Sequence, residues 1–327
     1  MAVWLHLRLL AIGAVLLASW QSPAAPAPAF RTIKLATWNL EWLLTPSTFS
    51  ALNGHCSTDD DFRRSAPRQL PCDVAGKLER SAVDLRMLAR YARSLDADVI
   101  AVQEVDGVNA ARQVFADHEF CFTRSPALQN AGFAIRHGIP FRCEEDLVAL
   151  SQGDAVRRGA AVVLFPGTAD ELHLLGVHLK SGCSSQRLDS HSKACDRLAR
   201  QGLVLENWVE SQSRAGHRFA LLGDFNRNLL GERGDGLLRQ INRANAPGER
   251  LISVASRTDF RNCATGQRHS GFIDYILLGA GLAPRLVTDS VHRVTYSTAD
   301  AAHFKLSDHC PLAARLMLVS GSHDATH

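Results

Sequence analysis

Short apolar runs of strand length alternate with amphipathic helical stretches along this chain, and that alternation points to a mixed α/β core built on sheets. Ile33 to Leu40 reads as a strand. Gly76 to Ser94 reads as a helix, with Leu78, Ala82, Leu85, Leu88, Ala92 and Leu95 recurring at helical spacing. Asp98 to Val105 is a buried strand, and Arg158 to Phe165 pairs with Leu172 to Lys180 across the turn Pro166-Gly167-Thr168. Leu188 to Ser213 is helical through Leu198, Leu205, Trp208 and Val209, while Phe219 to Leu222, Phe272 to Leu278 and Pro311 to Val319 supply further strands. With 327 residues, 46% of them apolar, the chain can bury one large core, and no repeat or linker divides it.

The ends and the cysteines bear on where such a chain works. Arg8, the apolar stretch Leu9 to Ala18 and the small-residue tail ending in Ala27-Pro28-Ala29 make residues 1–29 a signal peptide. The stretch is too short for a comfortable membrane span, so an uncleaved anchor is the lesser alternative. The expected organisation is a leader at 1–29, one domain at 30–320 and a short tail at 321–327, with the mature protein secreted or periplasmic. No stable membrane insertion is expected, and nothing calls for an obligate protein partner. The 8 cysteines fit an oxidising compartment, and no Cys-x-x-Cys occurs to suggest zinc. Pairing neighbours in sequence gives Cys56–Cys72, Cys121–Cys143, Cys183–Cys195 and Cys263–Cys310 as the simplest of many connectivities. Thr45 to Cys72 has no clear periodicity and reads as one long loop. A net charge of +3 is too small to argue for a polyanion by itself.

Several apolar runs end in polar groups able to converge on a phosphate and a metal ion: Thr37-Trp38-Asn39-Leu40-Glu41, Val102-Gln103-Glu104-Val105, Gly176-Val177-His178-Leu179-Lys180, Gly223-Asp224-Phe225-Asn226, Phe272-Ile273-Asp274-Tyr275 and Ser307-Asp308-His309-Cys310-Pro311. In this order they resemble the endonuclease/exonuclease/phosphatase superfamily, which includes deoxyribonuclease I, abasic-site endonucleases, inositol polyphosphate phosphatases and bacterial sphingomyelinases. The resemblance runs from Thr37 to Pro311. It implies a four-layer α/β sandwich, two packed mixed β-sheets flanked by helices, with the site at one edge of the sandwich. It also implies a divalent cation, Mg²⁺ or in its place Mn²⁺ or Ca²⁺.

Residue by residue, the resemblance makes Glu104 the principal metal ligand, helped by Asn39 and Asp308. A lone Glu at a strand end would otherwise be a solvated terminus. His309 becomes the general base, with Asp274 fixing its tautomer and stabilising the imidazolium. Asp224 positions the attacking water or a metal, and Asn226 donates toward a phosphate oxygen. Their spacing puts both on one face of an extended chain, or else closes the strand in an Asx-turn. His178 stabilises developing charge or protonates the leaving oxygen. Arg158 is expected to hold a phosphate through its guanidinium fork, and Lys180 is a weaker phosphate group. The expected activity is metal-dependent hydrolysis of nucleic acid, DNA before RNA. The rivals are a secreted sphingomyelinase or another phosphoesterase using the same residues, and a binding protein that kept the fold without activity. The stretch Thr45 to Cys72 departs from the family's usual first connection, and substrate preference is expected there.

Overall fold

A computed structural model describes Met1 and residues 30–319, apart from 59–66, 232–235, 246, 257–259 and 264–270. The remainder of the expected leader and the tail 321–327 lie outside the described residues. The first sheet is built from β1 (Phe30–Leu43), β2 (Val99–Val105), β3 (His118–Phe122), β4 (Asn130–Arg136), β11 (His292–Arg293) and β12 (Leu312–Val319), in the order β11-β12-β1-β2-β4-β3. The second contains β5 (Phe141–Cys143), β6 (Ala160–Leu164), β7 (Leu172–His178), β8 (Phe219–Asp224), β9 (Ile252–Ser253) and β10 (Asp274–Leu278), in the order β5-β6-β7-β8-β10-β9. Each sheet is mixed: β1 runs parallel to β2 and β7 parallel to β8, and the other pairs are antiparallel.

Strand alternation sorts the core. On β1, Ile33 and Leu35 face the second sheet and join Val99, Phe133, Val162, Leu174, Leu222 and Ile276 in one apolar cluster. Ala36, Trp38 and Leu40 face the other way, onto Leu85, Leu88, Ala92 and Leu95 of helix α3 (Ala82–Leu95). The long helix α5 (Lys193–Arg214) covers the second sheet with Leu198, Leu205 and Val209, and its Trp208 packs edge-on to Phe219 of β8. The stack is therefore helix, sheet, sheet, helix, as the resemblance implied. Short helices α4 (Gly107–Ala111), α6 (Leu237–Ile241) and α7 (Thr298–His303) fill connections.

Helix starts follow capping chemistry rather than apolar spacing. The helix expected from Gly76 begins at Ala82, because Ser81 accepts the Asp84 N–H while the Asp84 carboxylate accepts the Ser81 N–H, a reciprocal capping box. Ser192 likewise caps α5 through the Cys195 N–H. The presumed loop from Thr45 carries structure of its own. Thr45 caps α1 (Pro46–Asn53), with Pro46 preorganised in its first turn, and α2 (Cys72–Ala75) follows. Phe49, Leu70, Val74 and Ala75 make a separate small core with Trp42 and Leu44 at the end of β1. Periodicity missed α1 because only Phe49 of it is buried. The cysteines pair as Cys56–Cys72, Cys121–Cys143, Cys183–Cys195 and Cys263–Cys310, the connectivity that sequence order suggested.

Candidate active site

Three polar side chains arrive from the second sheet by register alone. In the parallel pair β7/β8 His178 lies opposite Asp224, and in the antiparallel pair β8/β10 Asp274 lies opposite the same Asp224. Gly223 makes this possible. A Cβ there would stand 1.9 Å from the Val177 carbonyl oxygen, and its φ of +149° is one that L side chains rarely adopt. Asn226 follows at φ +53°; its N–H donates to Asp224 Oδ1 at 2.7 Å and its Nδ2 to Asp224 Oδ2 at 3.0 Å. Asp224 and Asn226 thus converge through an Asx-turn rather than along an extended strand.

The first sheet contributes by breaking register. The pairing of β1 with β2 slips between Asn39 and Leu43, and that of β2 with β4 slips between Val102 and Val105. Simple alternation would place Glu104 with Ile100 and Val102 against the helix layer. The bulge, with Glu104 at φ +60°, instead aims its carboxylate across to Asn39, whose Nδ2 donates to Glu104 Oε1 at 3.3 Å and to Asp224 Oδ2 at 3.1 Å. The Trp42 N–H donates to the other Glu104 oxygen at 3.3 Å. His178 Nε2 stands 3.5 Å from Glu104 and 3.6 Å from Asp224, tying the two sheets' contributions together.

His309 enters on the loop before β12. Its Nδ1 lies 2.9 and 3.1 Å from the two Asp274 oxygens, and its Nε2 looks toward Asp224 at 3.9 Å and Asp308 at 3.8 Å. Burial would lower the imidazole pKa, but the carboxylates of Asp274 and Asp224 outweigh it and hold it well above the ordinary value. Burial pushes the Asp224 carboxyl up to about 7, against the pull of His309 and the donors Asn226 and Asn39. Asp308 is more than half exposed, at the mouth of the site.

Two residues outside the expected set brace this loop. Arg80, 5% exposed, donates to the carbonyl oxygens of Glu41 and Trp42 on β1 and of Lys305 and Leu306 before His309. Glu41 accepts the Asp308 N–H at 2.9 Å, and burial together with the neighbouring Asp308 pushes its carboxyl up to about 7 despite Arg80. The Ser307 hydroxyl donates to the Asn39 carbonyl, and the Tyr296 hydroxyl to the His309 carbonyl at 2.6 Å. Glu41 lies inside the motif at the end of β1, so it could have been noticed; nothing near Arg80 marks it, because apart from the Glu41 carboxylate at 3.8 Å its partners are backbone oxygens remote in sequence.

Two expected site residues have contacts within the protein that the sequence did not indicate. Asn39 Oδ1, the atom a cation would use, accepts the Glu41 N–H at 3.0 Å, while Nδ2 donates to the carboxylates of Glu104 and Asp224. Arg158 is held by the Arg124 carbonyl at 2.8 Å and by Asp146 at 3.4 Å; of the arginine pair it is Arg157, 9% exposed, that reaches the His178 and Leu179 carbonyls at the end of β7. Arg157 sits at φ +69° just before β6, a local turn that the sequence does not announce, so the sequence alone does not say which of two arginines faces the site. Lys180 lies just past β7 with its N–H donated to Gln201 Oε1. A concavity between α5 and α6 shares no residue with this cluster.

Residues 36–309 match the model of the Endonuclease/Exonuclease/phosphatase family, and the chain belongs to that family. It is accordingly a hydrolase of the type that acts on phosphodiester bonds, in a superfamily whose enzymes depend on divalent metals. Similar solved structures include D. rerio TDP2 complexed with single strand DNA product, at 14% identity over 88% of this chain and 99% of that one, with a TM-score of 0.55. The catalytic domain of human nocturnin with bound sulfate is 14% identical over 90% and 99%, TM-score 0.52. A family protein from Bacteroides thetaiotaomicron is 13% identical over 92% and 100%, TM-score 0.52. No curated protein sequence matches. Among the described residues no helix is long and apolar enough to cross a membrane.

Proposed function

We propose that the protein is an exported, divalent-metal-dependent phosphodiesterase whose substrate is DNA. The observation that carries the reading is the Asp274–His309 pair: Nδ1 is occupied by a buried carboxylate, and Nε2 is turned to the space shared by Asp224, Asp308 and His178. An imidazole oriented in this way accepts a proton at Nε2 while the carboxylate stabilises the cation formed. Water deprotonated there attacks phosphorus in line, the bond to the leaving oxygen breaks, and the products are a phosphomonoester and an alcohol. His178 and Asn226 stabilise charge on the phosphate oxygens, and His178 is placed to return a proton to the leaving oxygen.

The donor set suits a hard cation. Glu104 and Asp308 supply carboxylate oxygens, and a divalent charge would offset the burial, and secondarily the neighbouring carboxylates, that raise the Glu41 and Asp224 carboxyls. Glu104 and Asp308 would hold it, Mg²⁺ first and Mn²⁺ or Ca²⁺ in its place. When bound, such an ion supplies charge stabilisation to the phosphate and lowers the pKa of water.

DNA is favoured because the fold is shared with a TDP2 seen with a DNA product, and because, among the described residues of the domain, the exposed large apolar side chains, Val83, Val108, Val148, Leu203, Ile252 and Met317, are scattered along the chain and include no aromatic. Four disulfides support export, since such bonds persist in oxidising compartments. Purified mature protein should cleave duplex or single-stranded DNA in Mg²⁺, Mn²⁺ or Ca²⁺ and stop on chelation. Robust sphingomyelin hydrolysis with no DNA cleavage in any of these ions would reject DNA as substrate and leave the phosphodiester chemistry standing.

A further inference from the structure

Strands β7 and β8 carry a second cluster of ligating groups at the ends opposite to His178 and Asp224. Glu171 and His173 flank the first residue of β7, and His217 lies two residues before β8. One ligand atom from each of these three residues falls within 4.8 Å of the other two. His173 Nε2 is 3.0 Å from Glu171 Oε1, and the two imidazoles stack at 3.9 Å between centroids, 7° from parallel. All three are half-buried and line an open concavity together with Gly216 and Arg218, whose guanidinium donates to the Ala169 carbonyl.

We propose that Glu171, His173 and His217 form a binding site for a borderline divalent transition ion, with zinc as its representative, separate from the hard-cation site at Glu104. Two imidazole nitrogens and a carboxylate oxygen, with the open side left to water, are a donor set that zinc accepts and magnesium does not seek. Two of the three donors have a neighbour outside the cluster that orients them. Gln212 Oε1 lies 2.9 Å from His217 Nδ1, which fixes that nitrogen as the N–H and leaves the lone pair on Nε2. The Gly167 N–H donates to Glu171 Oε2, leaving Oε1 on the side of His173. Closing on an ion requires the stacked rings to splay, a rotation about a broad terminal torsion. A bound ion would staple the turn before β7 to the turn before β8.

The test is zinc binding to the folded, chelator-stripped protein in excess Mg²⁺, read by equilibrium dialysis and by the melting temperature. Glu104→Ala should retain one bound zinc and its melting shift. His217→Ala and His173→Ala should lose both while keeping phosphodiesterase activity in Mg²⁺. Gln212→Leu should weaken zinc by about 10–100-fold, the usual cost of removing an orienting partner. Zinc X-ray absorption on the Glu104→Ala protein keeps the proposal open to refutation if the histidine variants do not fold: two imidazole nitrogens and a carboxylate are required. No zinc bound by Glu104→Ala, undiminished zinc in His217→Ala, or an all-oxygen shell would each overturn it.

Discussion

The two sheets supply their halves of the site by opposite means. The second sheet lines up His178, Asp224 and Asp274 by regular pairing across β7, β8 and β10. The first sheet delivers Glu104 and Glu41 only because β1 and β2 both leave register at their ends, with Glu41, Trp42 and Glu104 all at positive φ. Regular pairing needs no external support beyond the core. Residues held at sparsely populated φ persist only where surrounding contacts over-determine them. Here that support is Arg80, the Trp42 N–H and the Asn39 amide.

The largest expected effects come from the base on the loop into β12 and the carboxylate on β2. His309→Ala and Glu104→Ala should each lower kcat by at least ~10²-fold, the order supplied by proton transfer and by charge stabilisation. Both variants should remain folded. Wild-type turnover in either variant would remove the mechanism.

Asp274→Asn probes the regular half through pH. His309 titrates above its ordinary value because of Asp274 and Asp224, and catalysis needs the neutral ring. Activity is therefore lost as pH falls through the folded pKa, and removing the Asp274 charge should move that acid limb to lower pH while kcat drops. The stability linkage has the same origin. A raised imidazole pKa gives stability that is fully present below the unfolded value of roughly 6.5 and lost as pH rises through the folded value. Asp274→Asn should lose this contribution at low pH. An unmoved acid limb would mean that the pair does not set the base.

The irregular half should be the more sensitive to its braces. Glu41→Ala removes the acceptor of the Asp308 N–H and should lower kcat by ~10-fold, within the range that small misplacements cost, with KM little changed. Glu41→Gln keeps an acceptor oxygen and should recover most of that loss. If Gln and Ala were equally impaired, the Glu41 charge rather than its hydrogen bond would be what matters, and the brace would need to be redrawn.

The same contrast explains what was legible in the sequence. Apolar runs ending in Asp224 and His178, and one beginning at Asp274, announce the regular half, since pairing carries a strand-end polar group to a predictable place. Helical spacing and strand alternation give a mixed α/β core, the layers come from the family resemblance, and the cysteines pair as sequence neighbours, the simplest of the connectivities the sequence left open. Glu104 was found as a residue but not as a geometry: alternation sends it to the wrong face, and only the bulge corrects it. Asn39 was placed beside the carboxylates, yet which amide atom faces them depends on the Glu41 N–H, itself a product of the turn at positive φ. Arg80 was invisible because it works on carbonyls, and every residue has one.

The smallest effect expected is at Arg158, where sequence and structure part. A free guanidinium on a DNA phosphate releases a counterion, and its loss would flatten the dependence of log affinity on log salt by about one unit. Arg158 is already engaged by Asp146 and by the Arg124 carbonyl, so its charge is largely spent within the protein. Arg158→Ala should change KM for long DNA by less than ~3-fold, as for a partly exposed ion pair worth under ~1 kcal/mol, and should leave the salt slope nearly unchanged. Cleavage measured between low and physiological salt decides the matter. A drop of a full unit in slope would show that Arg158 leaves Asp146 for the phosphate when DNA binds, and would return to it the role that its place before β6 suggested.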